Sequence, residues 1–397
     1  MSAFGSEVFV AGGAMSAFGR RKDGTGPRDW VPEVVSRALL EAHMQPSDID
    51  AVVVATESDF LSMQVSPSAV LADDLGLTQR PVMRVEAGGA SGAMAVRTAL
   101  MHLLSGWHDT VLVVGCEHAA SHLPADEVRT IYGLSFDADL EGLAGVTATV
   151  LYALSIQDHM ARYGTTAQQL AAVSVKNHGN ARFNPDAHKP MVLTVDDVLA
   201  SPMVSTPYRM LDCSLISDGA SALVLTTRKD TLDRRYPRVR LVGSGCASDA
   251  VRLAERSQRG DFQAKSLAAQ RAYAQAGVKD PAAQMAFAEV YDAYTGAEVQ
   301  AIEALQLSAP GQAAPALAQG MFDRGQRLPV NLSGGLIGQG SAPGATGIAQ
   351  VYTLLRLLQG RYHSGLQQAS ERRFAVSDTH GGVGTVCVVH VLERLDD

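Results

Sequence analysis

The stretch from Val85 to Val96 reads VEAGGASGAMAV: a strand-like opening that runs into Gly88 and Gly89 and then into a helix of small residues. Backbone N–H groups and the positive end of a helix dipole converge at such a corner, which suits it to an anion or a developing oxyanion. The corner has no nucleophilic side chain, so bond-making groups must come from elsewhere in the chain. His380, in SDTHGGVG, is followed by glycines rather than set in an apolar stripe, and its ring titrates in the physiological range. Tyr291, in EVYDAYT, has an unperturbed pKa of about 10 and needs a neighbour before it can act as a base. Tyr294 shares a face with it if the segment is helical, and is expected to pack in the core. His118 and His122, in CEHAASH, are expected in a loop or an interface.

The elements that would position these groups occur twice. A β-rich start, VFVAGGAMSAFG, leads to a helix, WVPEVVSRALLEAHM, and then to QPSDIDAVVVAT; the same order returns in RVRLVGSGCASDA, KSLAAQRAYAQAGV and KDPAAQMAFAEVYDAYT. Next, VMRVEAGGASGAMAVRTALMHLLSG answers to LPVNLSGGLIGQGSAPGATGIAQVYTLLRLLQG: a strand, paired glycines, and a long helix with apolar residues at helical spacing. DTVLVVGCEHAA answers to RFAVSDTHGGVGTVCVVHVLERL. Two β-α-β-α-β-β halves follow, with the long helices near Ala95 and Ile348 facing each other as buried central elements. Their Ala- and Gly-rich starts permit close backbone approach. The predicted division is an N-terminal half over 1–120 plus 204–235, a polar inserted segment over 121–203, and a C-terminal half over 236–397.

Composition narrows the class. The chain has 397 residues, 46% of them hydrophobic, enough for a large core, and a net charge of −8 with no basic run, which argues against a dedicated nucleic-acid surface while leaving room for a local basic pocket. Cys116, Cys213, Cys246 and Cys387 lack C-x-x-C spacing, so neither a metal site nor a disulfide framework is expected, and a reducing cytoplasm fits. Cys116 and Cys387 lie in apolar strand runs and read as core. No apolar run approaches the roughly 18 residues of a membrane span, and Glu7 stands where a leader would be basic. MSAFG, at Met1 and again at Met15, reads as coincidence.

Seven stretches in order, VEAGGASG, YALSIQDHMARYGTT, VKNHGNARFNP, LDCSLISDGASA, EVYDAYTGAE, NLSGGLIGQGSAPGATG and GGVGTVCVV, resemble the thiolase superfamily over nearly the whole chain, in particular its sterol-carrier-protein-type and archaeal branch. The resemblance implies an α/β thiolase fold, five-layered αβαβα, made of two duplicated halves with an inserted loop domain, and dimers that process acyl-CoA. Thiolases carry a cysteine nucleophile where this chain has Gly89, and a histidine where it has Ser341; relatives have His or Asn where it has Tyr291. A thiolase needs a thiolate to hold the acyl group and a base to generate it. Neither stands at its matching position.

What the resemblance then implies is retro-aldol cleavage of a β-hydroxyacyl-CoA, as in thiolase relatives without the cysteine that cleave steroid side-chain CoA esters. Tyr291 takes the hydroxyl proton or relays it, Ser341 completes the relay, and the Gly88/Gly89 corner supports the enolate oxygen, at about 3 to 4 kcal/mol per donor. Those aldolases have a second tyrosine where Ser341 stands. His380 lies at or next to the position of a second catalytic cysteine or histidine. His178 falls in the segment that lines the CoA and acyl channel of relatives, and Asn331, Gly334 and Gly335 of the NLSGG turn are expected to help hold substrate. CoA enters as part of the substrate, with no separate cofactor. Two alternatives stand beside this: β-ketoacyl-CoA thiolysis with a rearranged site and His380 as base, and a non-catalytic subunit that binds CoA or a partner. A homodimer is expected through an apolar edge strand near Val111 to Val114, and a small OB-fold or zinc-ribbon subunit is expected to close the acyl tunnel.

Overall fold

The computed structural model describes residues 6–21, 23–142 and 144–395; the first MSAFG copy lies outside them. Helix α1 (Pro27–Glu41) begins where proline's missing N–H is harmless, and the Asp29 carboxylate accepts the Gly26 N–H at 2.8 Å. Its buried stripe, Val31, Val34, Val35 and Ala38, follows the helical period. The strands of the main sheet are β1 (Phe9–Met15), β2 (Ala51–Ala55), β3 (Val82–Val85), β4 (Thr110–His118), β5 (Asp218–Thr226), β6 (Val239–Ser248), β7 (Met285–Glu289), β8 (Phe374–Gly381) and β9 (Val386–Arg394).

Among the described residues these form one sheet in the order β3-β2-β4-β5-β1-β6-β9-β8-β7. The duplication is visible in the pairing. Strand β2 runs parallel to β4, which is antiparallel to β5 and that to β1; β7 runs parallel to β8, which is antiparallel to β9 and that to β6. Even β3 has a counterpart, in the parallel bridge from Ala288 to Val330. The halves join through Phe9 opposite Arg240.

Alternation along each strand then builds the layers. Val52 and Val54 of β2 pack with α1, whereas Ala51, Val53 and Ala55 face α2 (Ser91–Leu104) and its counterpart helix at 343–358. That same central cluster takes in Ala286, Phe287, Ala375 and Leu392 of the second half. On the far side Val376, Val389 and Val391 pack with Ala264, Ala268, Ala269 and Ala272 of the helix at 263–276. The result is the five-layered αβαβα arrangement. Small residues let the central helices meet: a Cβ on Gly92 would lie 2.9 Å from the Gly344 carbonyl oxygen, and one on Gly347 would lie 3.0 Å from Ala93 Cβ.

Between β4 and β5 the chain forms α3 (Ala125–Gly133), α4 (Ala148–Tyr163) and α5 (Ala167–Ala181). After these come α6 (Gln263–Ala276), α7 (Thr295–Ala304) and α8 (Pro343–Leu358) in the second half. One expectation is corrected. Val111 to Val114 is no edge: β4 is paired with β2 on one side and β5 on the other, so its apolar residues are buried by the sheet itself. Among the described residues the strand order ends at β3 on one side and, on the other, at β7, which is bridged from Ala288 to Val330.

Candidate active site

A cavity of about 500 Å³ lies where the β3–α2 corner, α3, α4, the segment after β7, the turn before α8 and the end of β8 converge. Gly89, Tyr291, Ser341 and His380 all line it. Gly88, held at φ +56°, lines a neighbouring recess of about 480 Å³ with Glu57 and Glu86.

Gly89 and Tyr291 are complementary. A Cβ built on Gly89 would collide with Tyr291 Oη and come within 2.7 Å of the His380 carbonyl oxygen. The space that a side chain at 89 would use is occupied by the phenol. Gly89→Cys is therefore expected to destabilise the fold, at about 1 to 3 kcal/mol for overpacking, and to leave thiolysis unrestored; thermal unfolding and a CoA-dependent thiolysis assay check both halves.

The Tyr291 phenol is kept neutral: burial pushes its pKa well above the ordinary tyrosine value, the charge of Glu57 adds to this, and a hydrogen bond from Ser341 opposes it. The Ser341 hydroxyl and the Tyr291 phenol both line the cavity. Ser341 is held by its backbone, its N–H donating to the Leu215 carbonyl at 2.9 Å and its carbonyl accepting from Ser217 at 2.7 Å. The segment from Val290 to Ala293 is not helical, so Tyr291 and Tyr294 do not share a helical face. Tyr294 caps α7 and also lines the cavity, its phenol 2.8 Å from Thr149 Oγ1 and its ring stacked on Tyr208.

His380 is tied at both nitrogens. Tyr152 Oη donates its one proton to the Gly382 carbonyl at 2.7 Å, so it must accept from His380 Nε2–H, also at 2.7 Å. Nδ1 is then the acceptor for the Lys265 ammonium at 3.1 Å. Burial, Lys265 and Arg256 hold the imidazole pKa well below its ordinary value. The ring is neutral, of fixed tautomer, and packed edge-on to Tyr291 with centroids 4.8 Å apart.

Lys265 also pairs with Asp378, both fully buried, and Asp378 Oδ1 accepts the Tyr291 N–H at 3.3 Å. One ion pair thus places both rings. Sequence reasoning missed it, although the signal was present: Lys265 stands three, four and seven residues before Ala268, Ala269 and Ala272, on the buried stripe of its helix.

Two carboxyls were missed as well. Strands β2 and β4 pair Ala55 with Gly115, and Glu57 and Glu117 each follow two residues later. The parallel runs AVVVATE and VLVVGCE carried that signal. Glu117 Oε2 accepts the Glu57 N–H at 2.9 Å and the Gly344 N–H, at the start of α8, at 3.1 Å. Burial raises Glu57 to about 7 and Glu117 to about 8.

The other expected binding residues lie elsewhere. His178 is buried, 2.8 Å from the Lys189 carbonyl, and does not line the cavity; it tethers the turn whose Lys189 side chain does. Asn331 accepts the Val290 N–H at 2.7 Å and donates to Glu298 at 2.8 Å, inside a buried network with Lys176, Asn177 and Asp292. Gly334 and Gly335 have φ of +102° and +59°, and a Cβ on Gly335 would run into the Asp292 carboxyl. These three residues support the segment carrying Tyr291 and do not line the cavity. Cys213 does line it, but burial and Asp212 push its thiol up to about 12, so it is no thiolate. Among the described residues no cluster of His, Cys, Asp or Glu has the makings of a metal site, and no helix is long and apolar enough to cross a membrane.

Comparison with known proteins agrees with the architecture. Residues 8–229 match the thiolase N-terminal domain and residues 245–394 the thiolase C-terminal domain-like family. An acetyl-CoA acetyltransferase of Methanothermobacter thermautotrophicus is 36% identical, covering 98% of this chain and all of the relative. A steroid side-chain-cleaving aldolase of Thermomonospora curvata is 26% identical, over 90% and 92% of the two chains. The solved structure of an Ltp2-ChsH2(DUF35) aldolase superposes with a TM-score of 0.81 at 24% identity over 99% of each chain. With both family domains matched in order and a relative aligned from end to end, this chain belongs to the thiolase superfamily of enzymes.

Proposed function

We propose that the protein cleaves, or in reverse forms, the carbon–carbon bond next to a CoA thioester by a retro-aldol reaction with no acyl-enzyme. The observation that carries this is the Tyr291 phenol filling the space above Gly89 where a nucleophile would project. A neutral phenol in the cavity wall donates to the thioester oxygen as charge develops there, whereas the Gly88 N–H is already held by the Glu86 carboxylate at 2.6 Å. Arg20, Arg129 and Lys189 line the same cavity and suit the phosphates of CoA. The relative named as a steroid side-chain-cleaving aldolase, at 26% identity, favours this chemistry.

The relative named as an acetyltransferase favours thiolysis instead. Against that reading stand the un-ionised Cys213 thiol and the engaged nitrogens of His380, which leave no thiolate and no free imidazole base. Mass spectrometry separates the two. A β-hydroxyacyl-CoA is expected to yield a carbonyl compound and a shortened acyl-CoA, with unchanged intact protein mass. An acyl adduct on any cysteine, or cleavage of a β-ketoacyl-CoA that depends on free CoA, sinks the proposal.

Assembly belongs to the same reading. The β3 edge suits a two-fold dimer, and a chain that is monomeric by light scattering at micromolar concentration refutes it. Val204, Met210 and Ile216 line the cavity yet are 54%, 51% and 37% exposed. That apolar rim suits a small OB-fold or zinc-ribbon subunit, in keeping with the ChsH2(DUF35) chain of the solved aldolase.

A further inference from the structure

We propose that Glu57 is a catalytic residue of this site, the carboxylate that takes the substrate's hydroxyl proton and, once protonated, returns it to the enolate carbon; the proposal rests on the retro-aldol reading. Glu57 lines both the cavity that holds Gly89, Tyr291 and Ser341 and the neighbouring recess, so it stands in the wall between them. Its Oε2 is closed off from solvent and has no hydrogen-bond partner, and neither has the Tyr132 phenol that faces it. Tyr132 is close enough to favour the charged carboxyl, but the two do not close a hydrogen bond of good geometry. The carboxyl and the phenol thus lie side by side in the wall shared by the two spaces. Glu117 is different: its Oε2 is spent on two backbone N–H groups, and it lines neither space.

The groups that face Glu57 set its proton affinity. Glu117 lies beneath it on β4, Glu86 and Arg84 at the end of β3, Tyr132 and Arg129 on α3, and Tyr291 across the cavity. Burial dominates, Tyr132 opposes it and Glu86 adds to it, so the carboxyl is raised to about 7. That value suits a group that must both accept and return one proton near neutrality. Tyr291 cannot serve as acceptor, because its phenol stays protonated.

The step balances without any co-reactant. The carboxylate removes the hydroxyl proton, and the O–H pair becomes the carbonyl π bond. The Cα–Cβ pair moves onto Cα and the thioester carbonyl as an enolate. After the carbonyl product departs, the Glu57 carboxyl protonates Cα.

Glu57→Gln keeps the size of the side chain and the backbone bond to Glu117. With a β-hydroxyacyl-CoA, it is expected to lose about 10²- to 10⁴-fold in kcat and to lose the limb of the pH–rate profile near 7, whereas Tyr291→Phe slows turnover but keeps that limb. Glu57→Asp retains the limb at reduced rate, and carries the test if the glutamine variant does not fold. Since the folded-state pKa lies above the ordinary 4.5, the stabilising contribution is full below about 4.5 and is lost as pH rises through about 7; melting temperatures of Glu57→Gln are therefore expected to gain on wild type between about pH 4.5 and 7 and to hold that gain above it. Wild-type turnover, or an unchanged limb, in Glu57→Gln overturns the assignment. Deuterium exchange from solvent into Cα of the acyl-CoA product separates it from the retro-aldol reading, since exchange needs the proton carrier but no cleavage. Exchange by wild type that Glu57→Gln abolishes supports the carrier even where no carbonyl compound forms, in which case only the retro-aldol reading fails. Equal exchange in both overturns the carrier, and a wild type that neither cleaves nor exchanges overturns both.

Discussion

Replacing Tyr291 by phenylalanine lowers kcat by about 10²- to 10³-fold and leaves the fold intact. The effect on rate follows from position: the phenol lies against Gly89 in the cavity wall and is kept neutral by burial, so it is placed to donate to an oxygen in the cavity. Deleting one oxyanion donor in a water-poor site removes about 3 to 4 kcal/mol of transition-state stabilisation. The effect on stability is small because the ring stays packed edge-on to His380 and the backbone N–H still donates to Asp378. Steady-state kinetics with a β-hydroxyacyl-CoA, read beside urea unfolding, provides the check. Turnover equal to wild type would return Tyr291 to a packing role.

Lys265→Met costs about 3 to 5 kcal/mol of folding stability, because it strands the Asp378 carboxylate in a fully buried position. It also withdraws the donor from His380 Nδ1, freeing the tautomer that Tyr152 depends on. The double variant Lys265→Met with Asp378→Asn removes both charges and is expected to recover a good part of the loss. That non-additivity, measured by urea midpoints in a double-mutant cycle, identifies the ion pair as the source. Additive losses would mean that Lys265 matters through other contacts, such as its ammonium over the Phe262 ring. Activity falls with stability in the single variant, since the same pair positions Tyr291 through its backbone and His380 through its ring.

Much of this was legible in order along the chain. The repeated succession of strand, helix and strand is local patterning, so the duplicated halves and the paired central helices could be read from periodicity, and Gly92 and Gly347 mark the helix crossing by their size alone. The same reading misplaced Val111 to Val114, because an apolar run looks alike whether it is an edge or lies between two strands. It also gave Asn331, Gly334, Gly335 and His178 to the substrate, where they are spent on backbone carbonyls and N–H groups and on a buried charge network.

By itself, then, the sequence determined the architecture, and it places a glycine at 89 where the resemblance implies a nucleophile, since both depend on residue types at positions that can be matched one by one. Tertiary structure alone decided what fills the space at Gly89 and what is charged around it. Tyr291 reaches Gly89 across 202 positions of chain, Lys265 reaches His380 across 115, and Glu57 reaches Glu117 across 60. Proton affinity is set by burial and by charges a few ångströms away, and no spacing along a chain records either.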